Sequence, residues 1–190
     1  MKILKGRFKG VPLAVPQDGS VRPTVDHLKK HVFGNADTQP HAVVWDLFAG
    51  SGGVGLEFLS RGAREVVFVE QQKAAIACIQ LNLAECRLKD PAAFAAQSAR
   101  VVKAAVEPFL REPAAFGETA APELVFLDPP YGQGLTAKTL AQLAACALVR
   151  PGTRVVVEHV VEDPLGDTTP FTVERHETWG PKQLARLVRR

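Results

Sequence analysis

The chain has 190 residues, of which 46% are hydrophobic and 23% charged, and carries a formal net charge of +3. That length suits one domain with a core of its own, and no run of about 18 apolar residues is present to cross a bilayer. The opening MKILKGRFKG lacks the apolar stretch of a secretory signal, and Cys78, Cys86 and Cys146 form no CxxC, so free thiols in a cytoplasmic protein are expected. The five histidines are scattered, and no structural metal is expected.

The charge is unevenly spread. Residues 1–30 hold seven Lys or Arg against Asp18 and Asp26, which leaves the rest of the chain slightly acidic. A basic N-terminal arm with Lys5, Arg7, Lys9 and Arg22 suggests an anionic partner; the alternative is a solvated, charged terminus.

In chain order, MKILKGRFKG and VPLAVP read as two strand-like pieces meeting at Lys9-Gly10, and QDGSVRP reads as a loop. Thr24 can cap a helix that places Val25, Leu28, Val32 and Phe33 on one face. Strands then alternate with helices. AVVWDLFA (42–49) is a strand, VGLEFLSRG a helix closed by Gly62, and EVVFVE (65–70) a second strand. KAAIACIQLNLAEC is a helix, ARVVKA a third strand, VEPFLRE a short helix, ELVFLD a fourth strand, LTAKTLAQLAACAL a helix, and TRVVVEHV a fifth strand. FTVERHETWG and KQLARLVRR follow as two strands with no helix between, which predicts an antiparallel closing hairpin. Strands apolar on both faces that alternate with helices imply a mostly parallel, doubly wound α/β sheet. Residues 91–122 are rich in Ala and Pro and are expected to be loose.

Gly50, Gly52 and Gly55 in DLFAGSGGVG satisfy GxGxxG after the first strand, and Glu70 ends the second strand. Glycines let backbone approach a ligand, and an acid at that distance accepts ribose hydroxyls. Asp46 precedes the loop; a carboxylate there repels a pyrophosphate and suits a ligand with an ammonium or sulfonium. S-adenosylmethionine carries both and is favoured over NAD.

Asp128 ends the fourth strand in FLDPPY. Pro129 and Pro130 stiffen the corner and keep their carbonyls as acceptors. A carboxyl and a fixed carbonyl match the two hydrogens of a planar amine, and Tyr131 offers a ring on which a base can stack. The geometry suits methyl transfer to an exocyclic amine, with Asp128 taking the proton.

These motifs resemble the class I S-adenosylmethionine-dependent methyltransferases, and within them the bacterial 16S ribosomal RNA guanine-N2 methyltransferases. KILKGRFKG, RPT at 22–24 followed by Asp26 and Phe33, DLFAGSGGVGLEFLSRGA, Glu70 and FLDPPY carry the resemblance over nearly the whole chain. It implies a Rossmann-like seven-stranded sheet with a catalytic domain at 36–190 and a basic extension at 1–35. It also implies that Asp128, Pro129, Pro130 and Tyr131 form the amine pocket. Asp46, Phe48, Gly50, Ser51, Gly52, Glu70, Gln71, Ala104 and Thr24 would hold the cofactor. Lys5, Arg7, Lys9 and Arg22 would meet RNA of the 30S subunit, with the enzyme a monomer. Relatives often place a polar side chain after the third strand to contact adenine, where this chain has Ala104 and Ala105. The alternatives are an amino-methyltransferase acting on DNA adenine N6 or a protein glutamine, and a non-catalytic RNA-binding assembly factor.

Overall fold

The computed structural model describes residues 1–17, 26–34 and 42–190, with the side chains of residues 26, 27 and 34 left aside. Thr24 and Arg22, both candidates from sequence, lie outside the described residues.

The first helix, α1, is Asp26–Gly34. The sheet follows in the order β1 Val43–Leu47, β2 Glu65–Glu70, β3 Ser98–Lys103, β4 Leu124–Leu127, β5 Arg154–Val160, β6 Phe171–Trp179 and β7 Lys182–Arg189. Across the sheet the order is β3-β2-β1-β4-β5-β7-β6. The first five strands pair in parallel, whereas β7 runs antiparallel between β5 and β6. The strand order reverses beside β1, between β2 and β4, where open α/β sheets form a crevice at the carboxyl ends of their strands.

Two apolar layers cover the sheet, and the pleat decides which residue goes where. Along β1, Val43, Trp45 and Leu47 face a layer with Phe109, Leu140 and Val157. Val44 faces the other, with Phe58, Phe68 and Leu184. Helix α2, Gly53–Ser60, is buried along its whole length, including Glu57 and Ser60. It is sandwiched between the sheet and the N-terminal arm, whose Ile3, Phe8, Val11 and Leu13 join the same layer.

The arm pairs with itself as expected but does not form two regular strands. Ile3 N donates to Val11 O at 3.0 Å and Leu13 N to Met1 O at 3.0 Å. The ladder stops at a single bridge between Lys2 and Pro12, because proline has no N–H to extend it. The reversal takes in Lys5–Gly10 rather than Lys9-Gly10 alone, with Gly6 at φ +85°. Two further helices, α3 Lys73–Lys89 and α4 Pro91–Ala95, succeed β2. α4 and a 3-10 turn at Pro113–Phe116 lie in the stretch expected to be loose. Asp90 caps α4 by accepting from Ala93 N at 2.9 Å, and Arg100 ties the later turn through Phe116 O at 2.7 Å. The last helices are α5 Val106–Arg111 and α6 Leu135–Ala145.

Candidate active site

The β1–α2 turn is held by its own glycines and by two acids. Gly52 caps α2 at φ +79°, and Gly50 lies at φ +54°. Phe48, with φ +60°, is the one non-glycine residue with positive φ among those described, and it lines the cavity of the site. Strain of this kind concentrates at functional sites. Gly55 leaves no room for a side chain: a Cβ there would lie 2.3 Å from the Phe68 ring and 2.7 Å from Asp46 Oδ2.

Asp46 lies beneath the turn. It is 1% exposed and accepts from Gly55 N at 2.8 Å. Burial pushes its carboxyl up to about 8, with Glu70 adding to the rise and the Gly55 amide opposing it. Its visible task is to fix the start of α2. Glu70 ends β2 and is 8% exposed. Its Oε2 accepts from Gly50 N at 2.8 Å, and its Oε1 accepts from Gln71 N and Gln72 N at 2.8 Å each. With both lone pairs of Oε1 taken, one remains on Oε2 for a hydroxyl donor.

These elements meet the corner after β4 in a cavity of about 600 Å³, a size suited to a small-molecule ligand. Phe48, Gly50, Glu70, Gln71 and Ala104 line it on one side, and Asp128 to Tyr131 on the other. Of the cofactor candidates, Asp46, Ser51 and Gly52 do not line it; they support the turn from behind. Ser51 O accepts from Asn82 Nδ2 at 3.0 Å, and Asn82 also bonds Ala14 at the end of the arm. Ala104 N is already committed to Glu70 O at 3.0 Å.

The corner has partners that sequence reading missed. Tyr131 donates to Glu158 Oε1 at 2.7 Å, which fixes the edge of its ring. Lys182 also bonds Glu158 Oε1, and its ammonium lies 5.7 Å from the centre of the Tyr131 ring. Asp128 is half-buried. Burial and then the Glu158 charge hold its carboxyl well above the ordinary range, while Lys182 pulls it down and Asp46 pushes it up. The signal for Glu158 was a lone acid within the apolar run VVVEHV.

The basic candidates divide. Lys5, Arg7 and Lys9 are exposed. Lys29, which the charge count included, is fully buried and donates to Lys2 O at 2.8 Å, so it cannot meet a phosphate. The Lys5–Gly10 turn docks on the carboxyl end of α2, where Arg7 N donates to Ser60 O at 2.7 Å. The glycine turn is at the other end of that eight-residue helix, about 12 Å away. Among the described residues no group of three or more His, Cys, Asp or Glu could hold a metal ion, and no helix is long and apolar enough to cross a membrane.

A mostly parallel seven-stranded sheet with an inserted antiparallel strand, an acid-ended β2 and a glycine turn facing DPPY define a class I methyltransferase. Residues 1–187 match the family described as Conserved hypothetical protein 95, and the chain belongs to that family. It is 31% identical over 192 residues to the Ribosomal RNA small subunit methyltransferase D of Escherichia coli (strain K12), covering 100% of this chain and 90% of that one. The solved yhhF structure from Escherichia coli superposes with a TM-score of 0.78 at 29% identity, over 100% of this chain and 97% of that chain. The rRNA methyltransferase aviRa from Streptomyces viridochromogenes, at 18% identity and a TM-score of 0.69 over 94% of this chain and 90% of that one, shares the fold. The chain is thus a methyltransferase by family as well as by fold.

Proposed function

We propose that the protein transfers a methyl group from S-adenosylmethionine to the exocyclic N2 of a guanine in small-subunit ribosomal RNA, in an assembled or assembling 30S particle. The observation that carries this reading is the placement of Asp128–Tyr131 across one cavity from Gly50 and Glu70. The name of the Escherichia coli relative, a small-subunit ribosomal RNA methyltransferase, supports the substrate class. The residues fit the donor. Glu70 Oε2 keeps a free lone pair for a ribose hydroxyl, and Phe48, Val69 and Val106 give the cavity an apolar wall for a purine. Bound there, S-adenosylmethionine would supply an electrophilic methyl group on a sulfonium.

The chain's own groups supply the rest. Asp128 and the carbonyls of the two prolines are acceptors for the amine hydrogens, which draws the nitrogen lone pair out of conjugation. Guanine suits this lining because its N1–H stands beside the N2 amine as a further donor, where adenine N1 is an acceptor. Tyr131 supplies a ring fixed by Glu158. Holding the amine in line supplies much of the rate. The reading implies a cytoplasmic enzyme, since its substrate is there.

The test is transfer from labelled donor to naked 16S RNA and to 30S particles, followed by nucleoside analysis. N2-methylguanosine is expected. Label on adenine N6, on a protein glutamine or nowhere overturns the reading. Asp128→Ala is expected to abolish transfer while donor binding survives.

A further inference from the structure

Four ionisable side chains from neighbouring strands share one face of the sheet at its carboxyl end. Each lies two residues from a member of the same apolar layer: Asp46 from Val44, Asp128 from Phe126, Glu158 from Val156 and Lys182 from Leu184. The ladder aligns them, with Leu127 opposite Val157 and Glu158 opposite Leu184. Glu158 is fully buried, and its two oxygens differ. Oε1 takes the Tyr131 hydroxyl and the Lys182 ammonium, whereas Oε2 has no donor among the described residues apart from what Asp128 can give. A buried carboxylate oxygen without a donor is costly. The register that pairs Leu127 with Val157 sets the Asp128 carboxyl beside Glu158, and a proton kept on Asp128 would remove that cost.

We propose that Glu158 is the terminal proton acceptor of the amine reaction, reached through the Asp128 carboxyl, with Lys182 and Tyr131 holding its charge in place. The inference rests on the amine-transfer reading above. When the nitrogen gives its lone pair to the methyl carbon it is left with one proton too many. The carbonyl oxygen of the neutral Asp128 carboxyl takes that proton as its hydroxyl oxygen releases another to Glu158 Oε2. Asp128 ends as it began and Glu158 becomes neutral; after product leaves, the same shuttle in reverse returns the proton from Glu158 Oε2 through Asp128 to water in the cavity that Asp128 lines. Glu158 is therefore a positioning residue that acts through Asp128. A two-ended shuttle requires a neutral Asp128, and burial and then the Glu158 charge both push its carboxyl above the ordinary range.

Glu158→Gln and Lys182→Met, each checked by near-ultraviolet circular dichroism and accompanied by Lys182→Arg, test the inference in two ways. The first follows the Asp128 carboxyl carbon by NMR titration of the free protein. The groups that face it are Glu158, Lys182 and Asp46. Removing the Glu158 charge is expected to lower the titration of Asp128, removing the Lys182 charge to raise it, and Lys182→Arg to leave it near the wild type. The second is the pH profile of single-turnover transfer. Glu158→Gln is expected to lower the rate roughly tenfold or more, with donor affinity retained and the profile displaced from the wild type. Unmoved Asp128 titration in both charge-removing variants, or a Glu158→Gln enzyme with the wild-type rate and profile, overturns it. If the wild type methylates no guanine, the functional reading fails and the NMR titration still decides whether the two carboxyls share a proton.

Discussion

Glu70 Oε2 accepts the amide hydrogen of Gly50 at 2.8 Å, so the acid that ends β2 and the first glycine after β1 form one unit. The same carboxylate takes the amides of Gln71 and Gln72. It therefore shapes the turn before any ligand arrives and is aimed into the cavity at the same time. Glu70→Ala removes both roles. Donor binding measured by calorimetry is expected to weaken about tenfold to a hundredfold, as the loss of charge-assisted hydrogen bonds of roughly 1.5–3 kcal/mol implies. Affinity equal to the wild type would show that the carboxylate does not touch the donor.

Asp46 gives the fold a pH dependence. Its carboxyl is raised to about 8 in the fold, against about 3.9 in an unfolded chain. Between those values the native state holds a proton that the unfolded state has lost, so this group's contribution to stability is full at low pH and declines as pH rises towards 8. Asp46→Asn keeps an acceptor for Gly55 N and has no proton to lose. Denaturant unfolding at pH 5 and pH 8 is expected to show the variant gaining on the wild type at the higher pH. A constant difference would mean that Asp46 is charged in the fold.

Much of this site was legible before the structure. Alternation of apolar strands with helices marks a parallel sheet, and in such sheets the residues that end the strands meet at one edge. Glu70 and Asp128 each end an apolar run, so their convergence followed from topology alone. Asp46 reads the same way along the chain, yet the pleat turns it under the helix, and only the close approach of Gly55 reveals that. Glu158 stood out as an acid in an apolar run, but its meeting with Lys182 was beyond reach, because that depends on β7 inserting between β5 and β6 and on the register of the pairing. The arm was legible in charge but not in partition. Lys29 looks like its neighbours in sequence and is buried against Lys2 O.

The arm is clamped to α2 by groups that one-dimensional patterns do not join. Glu57, fully buried, accepts from Leu4 N at 2.8 Å and Lys5 N at 2.9 Å and pairs with Arg61 at 3.0 Å. Glu57→Ala leaves those donors unpaired and is expected to cost about 3–5 kcal/mol. Gly6→Ala attacks the same junction by sterics: its Cβ would fall 1.9 Å from Ser60 O, at a φ of +85°. Both variants should lower the denaturant midpoint. Wild-type stability in either would show that the arm is not part of the cooperative unit.

The exposed Lys5, Arg7 and Lys9 sit about 12 Å along α2 from the glycine turn, by its rise of roughly 1.5 Å per residue, and their turn docks at Ser60. That separation makes two functions of the N-terminal half experimentally distinct. Replacing all three by Ala is expected to weaken binding to 16S RNA or the 30S particle and to reduce the dependence of log affinity on log salt, by about 0.7–0.9 for each phosphate that is no longer neutralised. Donor affinity should be unchanged, because none of the three reaches the cavity. Stability should be retained as well, since the buried anchors of the arm are Ile3, Phe8 and the backbone amides bound by Glu57. A salt slope equal to the wild type would remove this turn from the RNA interface and leave recognition to the surface around the cavity mouth.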